Sequence, residues 1–289
     1  MKPFVLILLF QPCLAFAGWG FFAHQKINKM AVYALPEQMN SFFLKNIAYL
    51  EAEAIKADQR RYTDPKEAPK HYIDIDYYSV DSPFVVVPQR WNDAVAKYSE
   101  DTLRAYGILP WHIQSMYYKL VKAMEEGKSK RVLYLAADLG HYIADAHVPL
   151  HTTLNHNGQL SQQKGIHAFW ESRLPELFAD DYHYWVGSAS YKPSVLQTAW
   201  EVIQNSHAAK DSVLQLEKQL SQSFPSDQQY AYESKGQATA KVYSLEYATA
   251  YHQALNGMVE RQMQEAIHCL ASLWYSAWVD AGQPKMEEW

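Results

Sequence analysis

The stretch from His141 to His151 constrains this chain most: it sets His141, Asp145, His147 and His151 within eleven residues, at the end of an apolar, helix-patterned segment. His141 and Asp145 are i and i+4, so on a helix both side chains point to one face, a turn apart, within reach of a single cation. Pro149 ends that helix. The residue before a proline is pushed out of the helical region, so His151 lies in the loop beyond, free to turn back to the same face. Core packing does not ask for such a set, because a buried ionisable group without a partner is costly. The fold must bring further ligands to that helix end.

Candidates for those ligands are present. His167 and Glu171 form a second imidazole/carboxylate pair at i, i+4, and upstream lie Trp19 and His24, Asp58 with Arg60 and Arg61, and His71 with Tyr72 and Asp74. Imidazole and carboxylate are the ligand types of zinc, and these candidates exceed one tetrahedral site. His112, His156, His183, His207, His252 and His268 read as ordinary histidines.

Apolar spacing predicts helix over 25–34, 37–50, 94–106, 111–126, from Ser129 as N-cap towards Pro149, over 166–174, from Pro193 to about 207, over 211–221, and over a long segment from about Gln229 or Lys241 to Trp278. The segments 72–78 and 84–87 have strand composition but read as extended connections beside the site. The fold class expected is all-α, a single-domain multi-helix bundle with no linker or repeat dividing it. The polar segment 155–165 reads as a lip over the site.

Lys2, an apolar run over 4–10 and Ala15 to Ala17 have the order of a cleaved secretory signal, expected over 1–18, leaving a domain over 19–289 that is secreted or periplasmic, with no transmembrane segment. Its removal takes Cys13 and leaves Cys269 as the only cysteine, so no intramolecular disulfide is expected. A net charge of −5 argues against a passive nucleic-acid binder, which needs a cationic face. It does not exclude a phosphoesterase, since bound divalent cations dominate the local field of a cleft.

Taken together, Trp19, His24, Asp58, His71, His141, Asp145, His151, His167 and Glu171, in this order and with these spacings, resemble the three-zinc phosphodiesterases: bacterial zinc-dependent phospholipase C and the single-strand-specific nucleases of fungi and plants. The resemblance runs from Trp19 to Glu171; beyond Asp180 the chain matches only as further helix. It implies three Zn2+ per chain. Asp58, His71, His141 and Asp145 would hold one; Asp145 would bridge to a second, held also by His24 and by the amino and carbonyl groups of Trp19; His151, His167 and Glu171 would hold the third. An α-amino group with a pKa near ~8 can lose its proton and ligate a metal near neutral pH, which an amide nitrogen cannot readily do. The cleavage site with the best small residues falls after Ala17, whereas the resemblance requires Trp19 first.

The implied chemistry is hydrolysis of phosphate esters by metal-activated water. Asp74 would orient that water, Arg61 or Arg60 would hold a phosphate oxygen, and His147 would support the ligands from behind or face the phosphate. The short Trp19 to His24 interval and Tyr72, placed to stack a base, favour a single-strand nuclease or 3′-nucleotidase acting on single-stranded nucleic acid or nucleotides. Glu171 in place of the Asp usual in nucleases, the 158–165 segment in place of their Gly/Asn-rich one, and the lack of disulfides point to the alternative, a phospholipase C acting on phospholipid head groups. A non-catalytic zinc-stabilised binding protein is a further alternative. No His-Glu-x-x-His helix supports a metalloprotease, and no stable protein partner is implied.

Overall fold

The computed structural model describes residues 20–235 and 238–289, so the expected signal segment and Trp19 lie outside the described residues. The chain is organised around the helix Ser129–Ala146, which packs against Phe21–Val32, Ile47–Glu53, Leu109–Glu125, Val195–Ser223 and Met258–Asp280. Neighbours on so many sides explain why every residue from 135 to 153 is buried. A helix enclosed in this way has no solvent face on which to leave polar side chains.

The expected stop is where the sequence places it. His147 caps the helix, Val148 is extended at ψ 115°, and Pro149–Thr152 forms one 3-10 turn that carries His151 back towards the helix end. Gly140, one residue before His141, lets Phe21–Val32 approach closely: a Cβ there would run into the side-chain amide of Asn28. That approach sets His24 against His141, with ring centroids 3.9 Å apart.

Several boundaries differ from the apolar pattern. The segment 37–50 is two helices, Glu37–Lys45 and Ile47–Glu53, parted at Asn46, whose side chain donates to the Phe42 carbonyl at 2.8 Å. Likewise 94–106 is Trp91–Tyr98 and Glu100–Ala105, broken by Ser99 at φ 69°. The two helices expected after Pro193 are one, Val195–Ser223, because good helix formers at 208–210 continue it. Pro175 does not end its helix: the stretch Phe169–Arg173 has π geometry, and Pro175 falls in the first turn of Leu174–Phe178, where its missing N–H costs little.

The segments 72–78 and 84–87 are not strands. They hold the 3-10 turn Ile75–Tyr77 and the short helix Pro83–Val86. Where helix was expected from about Gln229 there is instead an antiparallel hairpin, Tyr230–Lys235 and Ala238–Tyr243, with Tyr230 opposite Tyr243, and helix resumes at Leu245. Its Tyr243 stacks on Phe169 at 3.8 Å and its Glu233 pairs with Arg173, so it braces the helix that carries Glu171. Among the described residues no helix is long and apolar enough to cross a membrane.

Candidate metal centre

Eight of the nine ligand candidates lie among the described residues, and they form three neighbouring groups: His24, His141 and Asp145; Asp58, His71 and His141; and His151, His167 and Glu171. They come from elements with no sequence continuity. His24 sits on Phe21–Val32, Asp58 on the short helix Lys56–Arg60, His71 at the end of the 3-10 turn Ala68–Lys70, and Glu171 on the π stretch.

Asp145 is at the centre. Its Oδ2 is 2.9 Å from His71 Nδ1 and 3.2 Å from His141 Nε2, while Oδ1 is 3.6 Å from His24 Nε2. Asp58 Oδ1 lies 3.8 Å from both His71 Nδ1 and His141 Nε2. In the other group His151 Nε2 is 3.2 Å from His167 Nε2 and 3.3 Å from Glu171 Oε2, and His167 Nε2 is 3.0 Å from Glu171 Oε1. Donors bound tetrahedrally to one zinc at about 2.0–2.1 Å stand about 3.3 Å from each other. The observed separations bracket that value.

Two further observations fit a cation. His141, His151 and His167 donate Nδ1–H to the carbonyls of Ala54, His71 and His156 at 2.8, 2.7 and 2.9 Å, which leaves each Nε2 lone pair facing the centre. Both nitrogens of His24, Oδ1 of Asp145, Oδ2 of Asp58 and both oxygens of Glu171 are buried without a hydrogen-bond partner. Protein groups alone leave these atoms unsatisfied at a cost that a bound metal removes.

The electrostatics agree. Burial pushes the carboxyls of Asp145 and Glu171 up, but the facing imidazoles outweigh it and hold both below the usual carboxylate range. Burial, with His141 beside it, holds His24 well below the usual imidazole value, hence neutral. Burial also disfavours a charged His141, yet Asp145 and Asp58 outweigh it and raise its pKa to about 9.

The other expected site residues fall in different places. Arg61 Nη1 reaches Asp58 Oδ1 at 3.4 Å and stays at the edge of the centre. Arg60 is held by Asp138 at 3.1 and 2.8 Å, with Tyr134 and Tyr142 also in contact. Asp74 is nearly buried, its N–H donating to the Tyr106 carbonyl at 2.7 Å. Tyr72 is partly exposed, its hydroxyl 3.4 Å from the Ala105 carbonyl.

His147 turns away. Its Nδ1–H donates to the Ile143 carbonyl at 2.7 Å, burial lowers its pKa to about 4, and it lines a separate cavity of about 410 Å³ with Trp185, Lys192, Glu201 and Cys269. None of the ligand candidates lines that cavity. The six histidines read as ordinary join none of the three groups. The lip 155–165 is tied down at both ends: Asp76 accepts from Thr153 Oγ1 and Leu154 N at 2.6 and 2.9 Å, and Gln163 donates to the Leu214 carbonyl at 2.7 Å. One buried carboxylate beside the centre, Glu67, had gone unread.

Residues 23–234 match the model of the family described as zinc dependent phospholipase C. The chain belongs to the zinc-dependent phospholipase C family. Among solved structures it is similar to the alpha toxin of Clostridium absonum, with a TM-score of 0.52 and 13% identity over 92% of this chain and 64% of that one. It is also similar to the alpha-toxin of an avian strain of Clostridium perfringens, at 0.52 and 12% over 93% and 65%. At these identities the likeness is one of fold, and the chain spans just under two thirds of either toxin. No curated protein sequence matches it. The family match supports the three-zinc phosphodiesterase resemblance and the all-α class, and it backs phospholipase C, the alternative read from the sequence, over the nuclease reading favoured there.

Proposed function

We propose that this protein is a zinc-dependent phosphoric ester hydrolase of the phospholipase C type, which cleaves phospholipids on the glycerol side of the phosphate. The single observation that carries this is the convergence of eight imidazole and carboxylate candidates on three adjoining groups, in a chain whose family is zinc-dependent phospholipase C. On the assignment that the family resemblance implies, His24 and Asp145 would hold one zinc together with the α-amino and carbonyl groups of Trp19, Asp58, His71, His141 and Asp145 would hold a second, and His151, His167 and Glu171 would hold a third. Zinc bound there would supply Lewis-acid polarisation of a phosphate ester and lower the pKa of water towards ~7.

The chain's own groups do the rest. Arg61, anchored on Asp58 and partly exposed, binds a phosphate oxygen. Asp74 accepts the proton of the attacking water. Burial and the neighbouring Asp76 push its carboxyl up to about 7, which suits a base near neutral pH. Tyr72 lines the approach beside Asp74. His147 has no part in the chemistry. We further propose export by the segment 1–18, consistent with an amine at Trp19.

The test offers zinc-loaded protein phosphatidylcholine, single-stranded DNA, RNA and a 3′-mononucleotide side by side. Release of phosphocholine with little attack on the other three is expected. Hydrolysis of nucleic acid or nucleotide without phosphocholine release would return the nuclease reading, and no hydrolysis with zinc bound would leave a binding protein.

A further inference from the structure

Behind His71 stands a carboxylate that the chemistry above does not use. Glu67 is 1% exposed, and its Oε1 lies 3.6 Å from His71 Nε2, the ring nitrogen opposite the one facing Asp145. His71 Nε2 is buried and makes no hydrogen bond, so at 3.6 Å the Glu67 carboxylate faces it as a charged neighbour. The ring is therefore gripped between Asp145 on one edge and Glu67 on the other.

Glu67 is itself fixed. The Tyr142 hydroxyl donates to Oε1, Lys70 Nζ is 2.5 Å from Oε2, and Arg60 Nη2 is 3.4 Å from Oε1. Arg60 is in turn clamped by both oxygens of Asp138. Burial pushes the Glu67 carboxyl up, but contacts with His71, Lys70, Tyr142 and Arg60 outweigh it and keep the group ionised. His141, His151 and His167 spend their second ring nitrogen on a backbone carbonyl. His71 alone among these four faces a carboxylate there.

We propose that Glu67 is a positioning residue of the metal centre: held by Arg60, Lys70 and Tyr142, its carboxylate faces His71 Nε2, favours the tautomer with the proton on Nε2 and the lone pair on Nδ1, and makes Nδ1 a stronger zinc ligand. A carboxylate behind a histidine ligand orients the ring and raises its basicity, and its loss typically costs metal affinity. This inference rests on the zinc reading above and adds a residue to it. Glu67 and His71 are a further imidazole/carboxylate pair at i, i+4, set on an irregular turn rather than on a regular helix.

The experiment measures zinc affinity by competition with a chromogenic chelator in wild type, Glu67→Gln and Asp138→Asn, with thermal unfolding of each zinc-free protein. Cobalt(II) absorption is recorded in parallel. Glu67→Gln is expected to weaken one ion roughly 10–100-fold and to shift the cobalt bands. Asp138→Asn removes the other carboxylate on Arg60 without touching His71, and is expected to lower the unfolding temperature while zinc affinity stays. Unchanged affinity in Glu67→Gln, or an equal loss in Asp138→Asn, overturns the proposal. Should Glu67→Gln fail to fold, Glu67→Asp, which keeps the charge but withdraws it from His71, is read in the same way. Wild type that binds zinc yet hydrolyses no phosphoester removes the proposed function and leaves this comparison intact; wild type that binds no zinc overturns both.

Discussion

The Asp145 carboxylate and the His71 ring, 74 positions apart in the chain, meet at 2.9 Å inside the protein, with His24 on the far side of the same carboxylate. One side chain thus faces ligand candidates of two of the three groups. Asp145→Asn is expected to lose more zinc than any other single ligand substitution, since the carboxylate offsets the repulsion between two neighbouring cations. Elemental analysis of Asp145→Asn beside His24→Ala and His71→Ala checks this; equal losses in all three count against a bridging role.

His151 belongs to the remaining group. His151→Ala is expected to lose one ion and keep the pair around Asp145, so its zinc content should fall by about a third, in line with three groups. Loss of all zinc in this variant would mean that the groups do not load independently.

The first helix is set by contact rather than by charge. Gly140→Ala puts a methyl group into the Asn28 amide and is expected to destabilise the protein by about 1–3 kcal/mol, as overpacking of a filled core does. Asn28→Ala made in the Gly140→Ala background should recover part of that loss in urea unfolding. No recovery would place the strain elsewhere.

Asp74 carries a pH signature. Its folded pKa of about 7 lies above the unfolded value of 3.8, so between these the native state binds the extra proton. This contribution to stability is therefore present at low pH and fades as pH rises towards 7. In zinc-free protein, Asp74→Asn should gain on wild type between pH 5 and pH 8, as read by urea unfolding at both. A constant difference between the two proteins would show that the Asp74 carboxyl is not raised.

The site was legible in the sequence where a single element carries it. His141 with Asp145 and His167 with Glu171 each share one local element, and Pro149 predicts the turn that returns His151. The local pattern does not show the partner of Arg60, because Asp138 lies 78 residues away on the helix it packs against. Nor does it show where His147 points: its position at the helix end fixes its backbone, whereas the direction of the ring depends on the Ile143 carbonyl and the neighbouring helices. Glu67 escaped notice because Pro69 lies between it and His71 and hides the four-residue spacing. The hairpin 230–243 is stabilised by Phe169 and Arg173, contacts that the local residue pattern does not display.

The zinc ligand proposed at the amine of Trp19 makes a separate demand. A protein carrying Met before Trp19 is expected to lose the zinc shared by His24 and Asp145, with most of its activity, because an amide nitrogen offers no basic lone pair. Sequencing the exported protein decides its first residue. A start at Gly18 with full zinc and activity would assign the His24 group another partner.

The most direct measurement strips the exported protein with chelator and follows phosphocholine release from phosphatidylcholine while zinc is returned stepwise, with bound metal counted at each step. Activity should be absent in the stripped protein and reach its maximum as bound zinc approaches about three per chain, one for each group of ligands. Phosphocholine release that survives complete stripping, or protein that refills with zinc and still releases none, would contradict a zinc-dependent phospholipase C.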